Sequence, residues 1–146
     1  MTAGDPVFID SNVLIYASVA EAPLHGIASA TLRRLRQEGS ELWISHQILR
    51  EYMVTLTRPG TFKSPPPQSV LIKTVRSFQS TFRMTTDFGM TDSLLMVMGH
   101  VNVSGKHIHD ANVVASMHCN GLKNLLTHNV DDFRRYSAFV MVLPLV

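Results

Sequence analysis

"FIDSNVLIYA", residues 8–17, is the stretch on which the fold turns. Val7, Phe8 and Ile9 make a short apolar run behind Pro6, and the run ends at Asp10. Ser11 and Asn12 follow, and then apolar residues resume. The pattern predicts a buried strand over 6–9 that ends on a carboxylate, then a helix over 11–19. Burying an unpaired charge is costly. Asp10 therefore needs a partner: a helix N-terminus to cap, or a cation.

Outward from this stretch, strands and helices alternate. Helical spacing of Ile27, Ala30, Thr31, Arg34 and Leu35 predicts a helix over 25–38, stopped by Gly39. "ELWIS", 41–45, reads as a second strand. His46 to Thr57 sets Ile48, Leu49, Tyr52, Met53 and Leu56 on one helical face, with Ser45 as N-cap and Arg58–Pro59 as the end. "PGTFKSPPP", 59–67, is a loop, because three successive prolines cannot continue a helix. A helix over 68–81 and a short strand over 84–86 follow. Thr91 and Asp92 read as caps of a helix running to about Val103. "HDANVVASMHCNG", 109–121, is helical, "NLLTH", 124–128, is a strand, "DDFRRY" is a short turn or helix, and "FVMVLPL", 139–145, is a last strand.

This alternation predicts one α/β domain over residues 1–146, layered around a short, largely parallel sheet of four to five strands. Such folds bind ligands outside the carboxyl ends of their strands. Asp10, Thr127 and Asn129 fall at those ends.

The composition is consistent with this. Hydrophobic residues make up 45% of the chain and charged residues 16%, enough apolar material for a real core. The single cysteine, Cys119, excludes an intrachain disulfide and suits a reducing compartment. The N-terminus lacks a signal-peptide pattern, and no apolar run approaches ~18 residues, so a cytoplasmic protein without a membrane span is expected. A net charge of +2 and a pI of about 8.9 allow a polyanionic partner. Arg33, Arg34 and Arg36 cluster in one helical segment, and Arg134 and Arg135 sit beside Asp131 and Asp132.

Of the 11 acids, most have local explanations. Glu38 and Glu41 flank a turn, Asp92 reads as a cap, Glu21 and Asp87 sit in loops, and Asp5 lies near the terminus. Asp10, Glu51 in "ILREYMV" and Asp110 at the start of "DANVVASM" are different, because each sits among apolar neighbours. Taken singly, Asp10 and Asp110 can be helix caps, and Glu51 an exposed residue or a partner of Arg50 or His46. Taken together, all three fall near one sheet edge. Carboxylates brought together repel, so they raise their pKa values or take up a cation. An all-oxygen set suits Mg²⁺, which binds through one or two carboxylates and keeps waters. His107, His109, His118 and His128 do not form an HExxH pattern, and lone Cys119 makes no C-x-x-C pair, so zinc is disfavoured. His109 and His128 are candidates for substrate contact or proton transfer, and the methionines read as core filler.

Four stretches, in order, carry a family resemblance: "FIDSNVLIYA", "SHQILREYMVTLTRP", "HDANVVASM" and "LLTHNVDDF". The sequence resembles the PIN-domain nucleases, and within them the VapC-type ribonuclease toxins of toxin–antitoxin pairs. The resemblance implies a three-layer α/β/α fold and an Mg²⁺-dependent endoribonuclease, with Mn²⁺ as a substitute. Asp10, Glu51 and Asp110 match the family's three metal-binding acids. Asn129 matches the fourth catalytic position, with Asp132 three residues on as the alternative source of a ligand. Thr127 matches a hydroxyl position beside the acids, and Asn12 a supporting one. The resemblance further implies an RNA substrate, a cognate antitoxin and a homodimer. Arg134 and Arg135, close behind the acids in sequence, are the first candidates for phosphate contacts. The competing readings are a PIN nuclease of RNA processing without an antitoxin, and a non-catalytic α/β binding module that uses the acids as caps or as a cation site.

Overall fold

The computed structural model describes residues 1–146. Its five strands are β1 (Val7–Ile9), β2 (Leu42–Ile44), β3 (Arg83–Met84), β4 (Asn124–Thr127) and β5 (Met141–Pro144). They form one all-parallel sheet in the order β3-β2-β1-β4-β5. Seven helices connect them: α1 (Ser11–Ser18), α2 (His25–Gln37), α3 (His46–Thr57), α4 (Gln68–Thr81), α5 (Met90–Met98), α6 (Ile108–Cys119) and α7 (Val130–Phe133).

The strand order explains the layering. From β1 the chain steps outward through β2 to β3, and it then returns to the far side of β1 for β4 and β5. Right-handed crossovers put the helices of the first half on one face and those of the second half on the other. The contacts agree, since α1 packs on α2 and α3, while α5 packs on α6. β1 and β4, in the middle, are buried along their whole length, as a strand covered on both faces must be.

The core joins Phe8, Leu125 and Ile44 from the sheet to Val13, Ile48 and Tyr52 on one side and Val97, Val114 and Met117 on the other. Two helices fall where the spacing placed them, His46–Thr57 and Gln68–Thr81. Ser45 caps α3 by accepting from the Ile48 N–H at 3.3 Å. Gly39 ends α2 with φ +87°, a conformation that favours glycine.

Two expectations need correction. The buried face of α2 is Ala28, Leu32 and Leu35, and Ile27 is exposed. Thr91 and Asp92 are not caps: α5 starts earlier, behind Gly89 at φ +74°, and stops at Met98 rather than near Val103. A positive-φ glycine turns the chain into the helix here, which places Asp92 within the first turn, where the helix dipole favours it.

Candidate metal-binding active site

Register carries the first acid to its place. Ile9 pairs with Leu126, and the Asp10 N–H continues the ladder to the Leu126 carbonyl at 3.0 Å. Asp10 thus stands beside Thr127, just past the carboxyl ends of β1 and β4. These are the two central strands from which the crossovers depart to opposite sides, the crevice where open α/β sheets hold their ligands.

Asp10 is 5% exposed, and both its oxygens are engaged. Oδ1 accepts from the Ser11 N–H at 2.8 Å, which makes Asp10 the N-cap of α1. Oδ2 accepts from the Thr127 hydroxyl at 2.7 Å and from Asn12 Nδ2 at 3.1 Å. The capping role is therefore real, yet it does not neutralise the charge. Burial is the main cause that pushes the Asp10 carboxyl up to about 6. The Thr127 and Ser11 hydrogen bonds oppose it, and Glu51 and Asp110 add to it.

Thr127 and Asn12 build the frame around this carboxylate. Thr127 is fully buried, and its Oγ1 also accepts from the Asn129 N–H at 3.0 Å. Asn12 Nδ2 reaches the same hydroxyl at 3.3 Å, and its Oδ1 accepts from the His128 N–H at 3.1 Å. The start of α1 and the turn after β4 are thereby tied together around Asp10.

Glu51 comes from the second turn of α3 and is half-buried. It pairs with neither Arg50 nor His46. Its Oε2 accepts from the Ser11 hydroxyl at 3.0 Å and its Oε1 from Gln47 Nε2 at 2.9 Å. Asp110 lies in the first turn of α6, whose N-cap position is His107, so Asp110 is not the cap. Burial raises its pKa first, then the charge of Asp132; His107, 3.7 Å away, lowers it, and Glu51 raises it again.

The N-terminal ends of α1, α3 and α6 all meet the carboxyl edge of the parallel sheet, so three distant acids gather there. Positive helix ends favour negative side chains, which partly offsets their mutual repulsion. Asp10 and Asp110 each feel the charge of other acids, but no three histidine, cysteine or acidic side chains close into a ligand cluster. A closed tetrahedral zinc site needs such a cluster. Mg²⁺ does not, because it takes one or two carboxylates and fills its shell with water. The donor set therefore fits a hard divalent ion.

At the fourth position, Asn129 and Asp132 are both exposed. Asp132 is the one whose charge acts on Asp110. Arg134 pairs with Asp131 at 3.0 Å on the exposed surface. Arg135 acts on the buried Tyr136 phenol, whose pKa burial raises, Arg135 lowers and Asp110 raises. Ser11, Gln47 and Asn112 are site residues that the sequence reading did not single out, although each lies within a stretch that carries the resemblance; Gln47 also stands one turn before Glu51.

The architecture is that of the PIN-domain toxins, and the resemblance drawn from the sequence holds at the level of the fold. Among solved structures, a chain of VapC20 from Mycobacterium tuberculosis, a sarcin–ricin loop cleaving toxin, superposes with a TM-score of 0.64 at 19% identity, covering 94% of this chain and 99% of that one. A chain of FitAcB from Neisseria gonorrhoeae gives 0.66 at 13% identity, covering 95% and 97%. A chain of VapBC2 from Rickettsia felis, bound to a promoter DNA fragment, gives 0.64 at 13% identity, covering 94% and 97%. The sequence matches no protein-family model and no curated protein.

Proposed function

We propose that this protein is a metal-dependent endoribonuclease, the toxin of a toxin–antitoxin pair. The observation that carries the proposal is the gathering of Asp10, ahead of α1, Glu51 of α3 and Asp110 of α6 at the switch point of a parallel sheet, near enough for the charges of the others to act on Asp10 and for that of Glu51 to act on Asp110, with raised pKa values at Asp10 and Asp110. A binding module gains nothing from three mutually repelling carboxylates held at one edge.

Asp10, Glu51 and Asp110 are the candidate ligands: one or two of them would hold Mg²⁺ or Mn²⁺ directly and the rest through its waters, with Asp132 beside Asp110 and Asn129 nearby. Such an ion lowers the pKa of bound water and stabilises charge on a phosphoryl group. The chain's own residues do the rest. Thr127, Asn12 and the Ser11 N–H fix the Asp10 carboxylate, and Ser11 and Gln47 fix that of Glu51. Arg134 and Arg135 lie exposed on the short turn after α7, open to a polyanionic strand. The Arg134–Asp131 pair is exposed and weak, so it leaves the guanidinium free to exchange for a phosphate.

The antitoxin belongs to the same reading, supported by fold neighbours solved as VapBC2 and FitAcB; a second copy of the chain belongs to it as what the family resemblance implies. No helix is long and apolar enough to cross a membrane. The test is cleavage of a fluorescent RNA with Mg²⁺ or Mn²⁺ against EDTA. Cleavage is expected only with metal, and Asp10→Asn, Glu51→Gln and Asp110→Asn each abolish it in folded protein. Undiminished cleavage by these variants overturns the assignment.

A further inference from the structure

Gln47, which holds one oxygen of Glu51, is itself a buried polar side chain, only 8% exposed, and it is held in turn by partners of its own. It lies one turn before Glu51 on α3. Its Nε2 donates to Glu51 Oε1 at 2.9 Å and to the His109 carbonyl at 2.8 Å. Its Oε1 accepts from Asn112 Nδ2 at 2.6 Å. The partners leave no freedom in the amide's orientation. Flipped, its oxygen would face a carboxylate and a carbonyl, and its NH₂ would face another NH₂.

The location matters as much as the bonding. α3 and α6 belong to opposite layers of the fold. The Gln47–Asn112 pair joins the N-terminal parts of the two helices across the carboxyl edge of the sheet, with His109 one residue before Asp110 and Asn112 two after it. Glu51 is thereby held on both oxygens, by a hydroxyl from α1 and by an amide whose own direction is set from α6. A free glutamate side chain loses rotamer freedom when fixed, and these two donors supply that fixing before any ligand arrives.

We propose that Gln47 and Asn112 are a positioning pair: Asn112 orients the Gln47 amide, and that amide holds the Glu51 carboxylate in place for a divalent cation shared with Asp10 and Asp110. The inference rests on the metal-dependent reading above. A residue that merely packs between helices would stabilise the fold without governing where Glu51 points.

The test uses the full chain as wild type, Gln47→Met, Asn112→Ala and the double variant. Gln47→Met keeps the side-chain length and removes every hydrogen bond. Two readouts are needed, metal-free crystal structures and Mn²⁺ titration by calorimetry. In metal-free Gln47→Met, Glu51 is expected to leave Ser11 and lose the 3.0 Å contact. Its Mn²⁺ affinity is expected to fall roughly 10–100-fold, as on loss of a residue that orients a ligand. Asn112→Ala, at a half-buried position where folding is less at risk, is expected to lose affinity by a smaller factor. The double variant should bind no more weakly than Gln47→Met, because the two residues act as one unit. Glu51 unmoved in the variants, affinities unchanged, or losses that simply add would each overturn the pairing. If wild type binds no Mn²⁺, the metal reading fails, and the position of Glu51 in the metal-free variants still decides whether the pair holds it.

Discussion

Replacing Asp10 with Asn should stabilise the metal-free protein while destroying its activity. Burial raises the Asp10 carboxyl from 3.8 to about 6. The folded state therefore binds the proton more tightly than the unfolded state. The favourable contribution is complete below the unfolded value of 3.8 and is lost as pH rises through 6. A difference of about two pH units corresponds to on the order of 3 kcal/mol, all of it lost near pH 7.5 but only about 1 kcal/mol lost near pH 4.5. Asparagine removes the charge and keeps an oxygen to accept from the Ser11 N–H. Its amide now meets Asn12 Nδ2, where a carboxylate oxygen had accepted, which costs about 1 kcal/mol. The net expectation is a gain of about 2 kcal/mol near pH 7.5 and almost none near pH 4.5. In a chain of this size that is a rise in Tm of roughly 4–8 °C at the higher pH. Thermal unfolding in EDTA at the two pH values measures it. Saturating Mg²⁺ should reverse the order, since ligand at about 100 times Kd stabilises wild type alone by about 2.7 kcal/mol. A variant less stable than wild type by the same amount at both pH values would refute the reasoning, because Asp10 would then be a cap under no electrostatic strain.

Three further outcomes follow from the same geometry. Thr127→Val removes the 2.7 Å donor to Asp10 and should raise that carboxyl above about 6, moving the acid limb of the pH–rate profile upward by roughly one unit, the worth of a hydrogen bond to a charged group. Asp132→Asn should weaken Mn²⁺ binding more than Asn129→Ala does, because Asp132 is the one whose charge reaches Asp110; calorimetry on the two variants decides it. Ser45→Ala should cost about 1 kcal/mol in urea unfolding, through loss of the α3 cap.

The acids were legible in the sequence because each breaks an apolar pattern. Asp10 ends a strand that is otherwise buried, and the parallel register then carries it to Thr127. The layered fold was legible from alternation, and α3 from one strong apolar face with a serine in front of it. The buried face of α2 was not legible, because rotating the stripe by one residue gives a pattern nearly as good. The tertiary packing of Ala28, Leu32 and Leu35 chooses between the two. The start of α5 depends on Gly89 turning the chain, a backbone conformation that residue types only suggest. The Gln47–Asn112 contact spans 65 positions between elements on opposite faces, and no local pattern encodes it.

The most direct test is to locate the ion. In an NMR titration of the full chain with Mn²⁺, a paramagnetic ion held by the three acids should broaden the amide signals of Ser11, Glu51, Asp110 and Thr127 first. Asp10→Asn should abolish that selectivity. Early broadening centred on the histidines at 100 and 118, or uniform broadening over the whole surface, would contradict a shared carboxylate site.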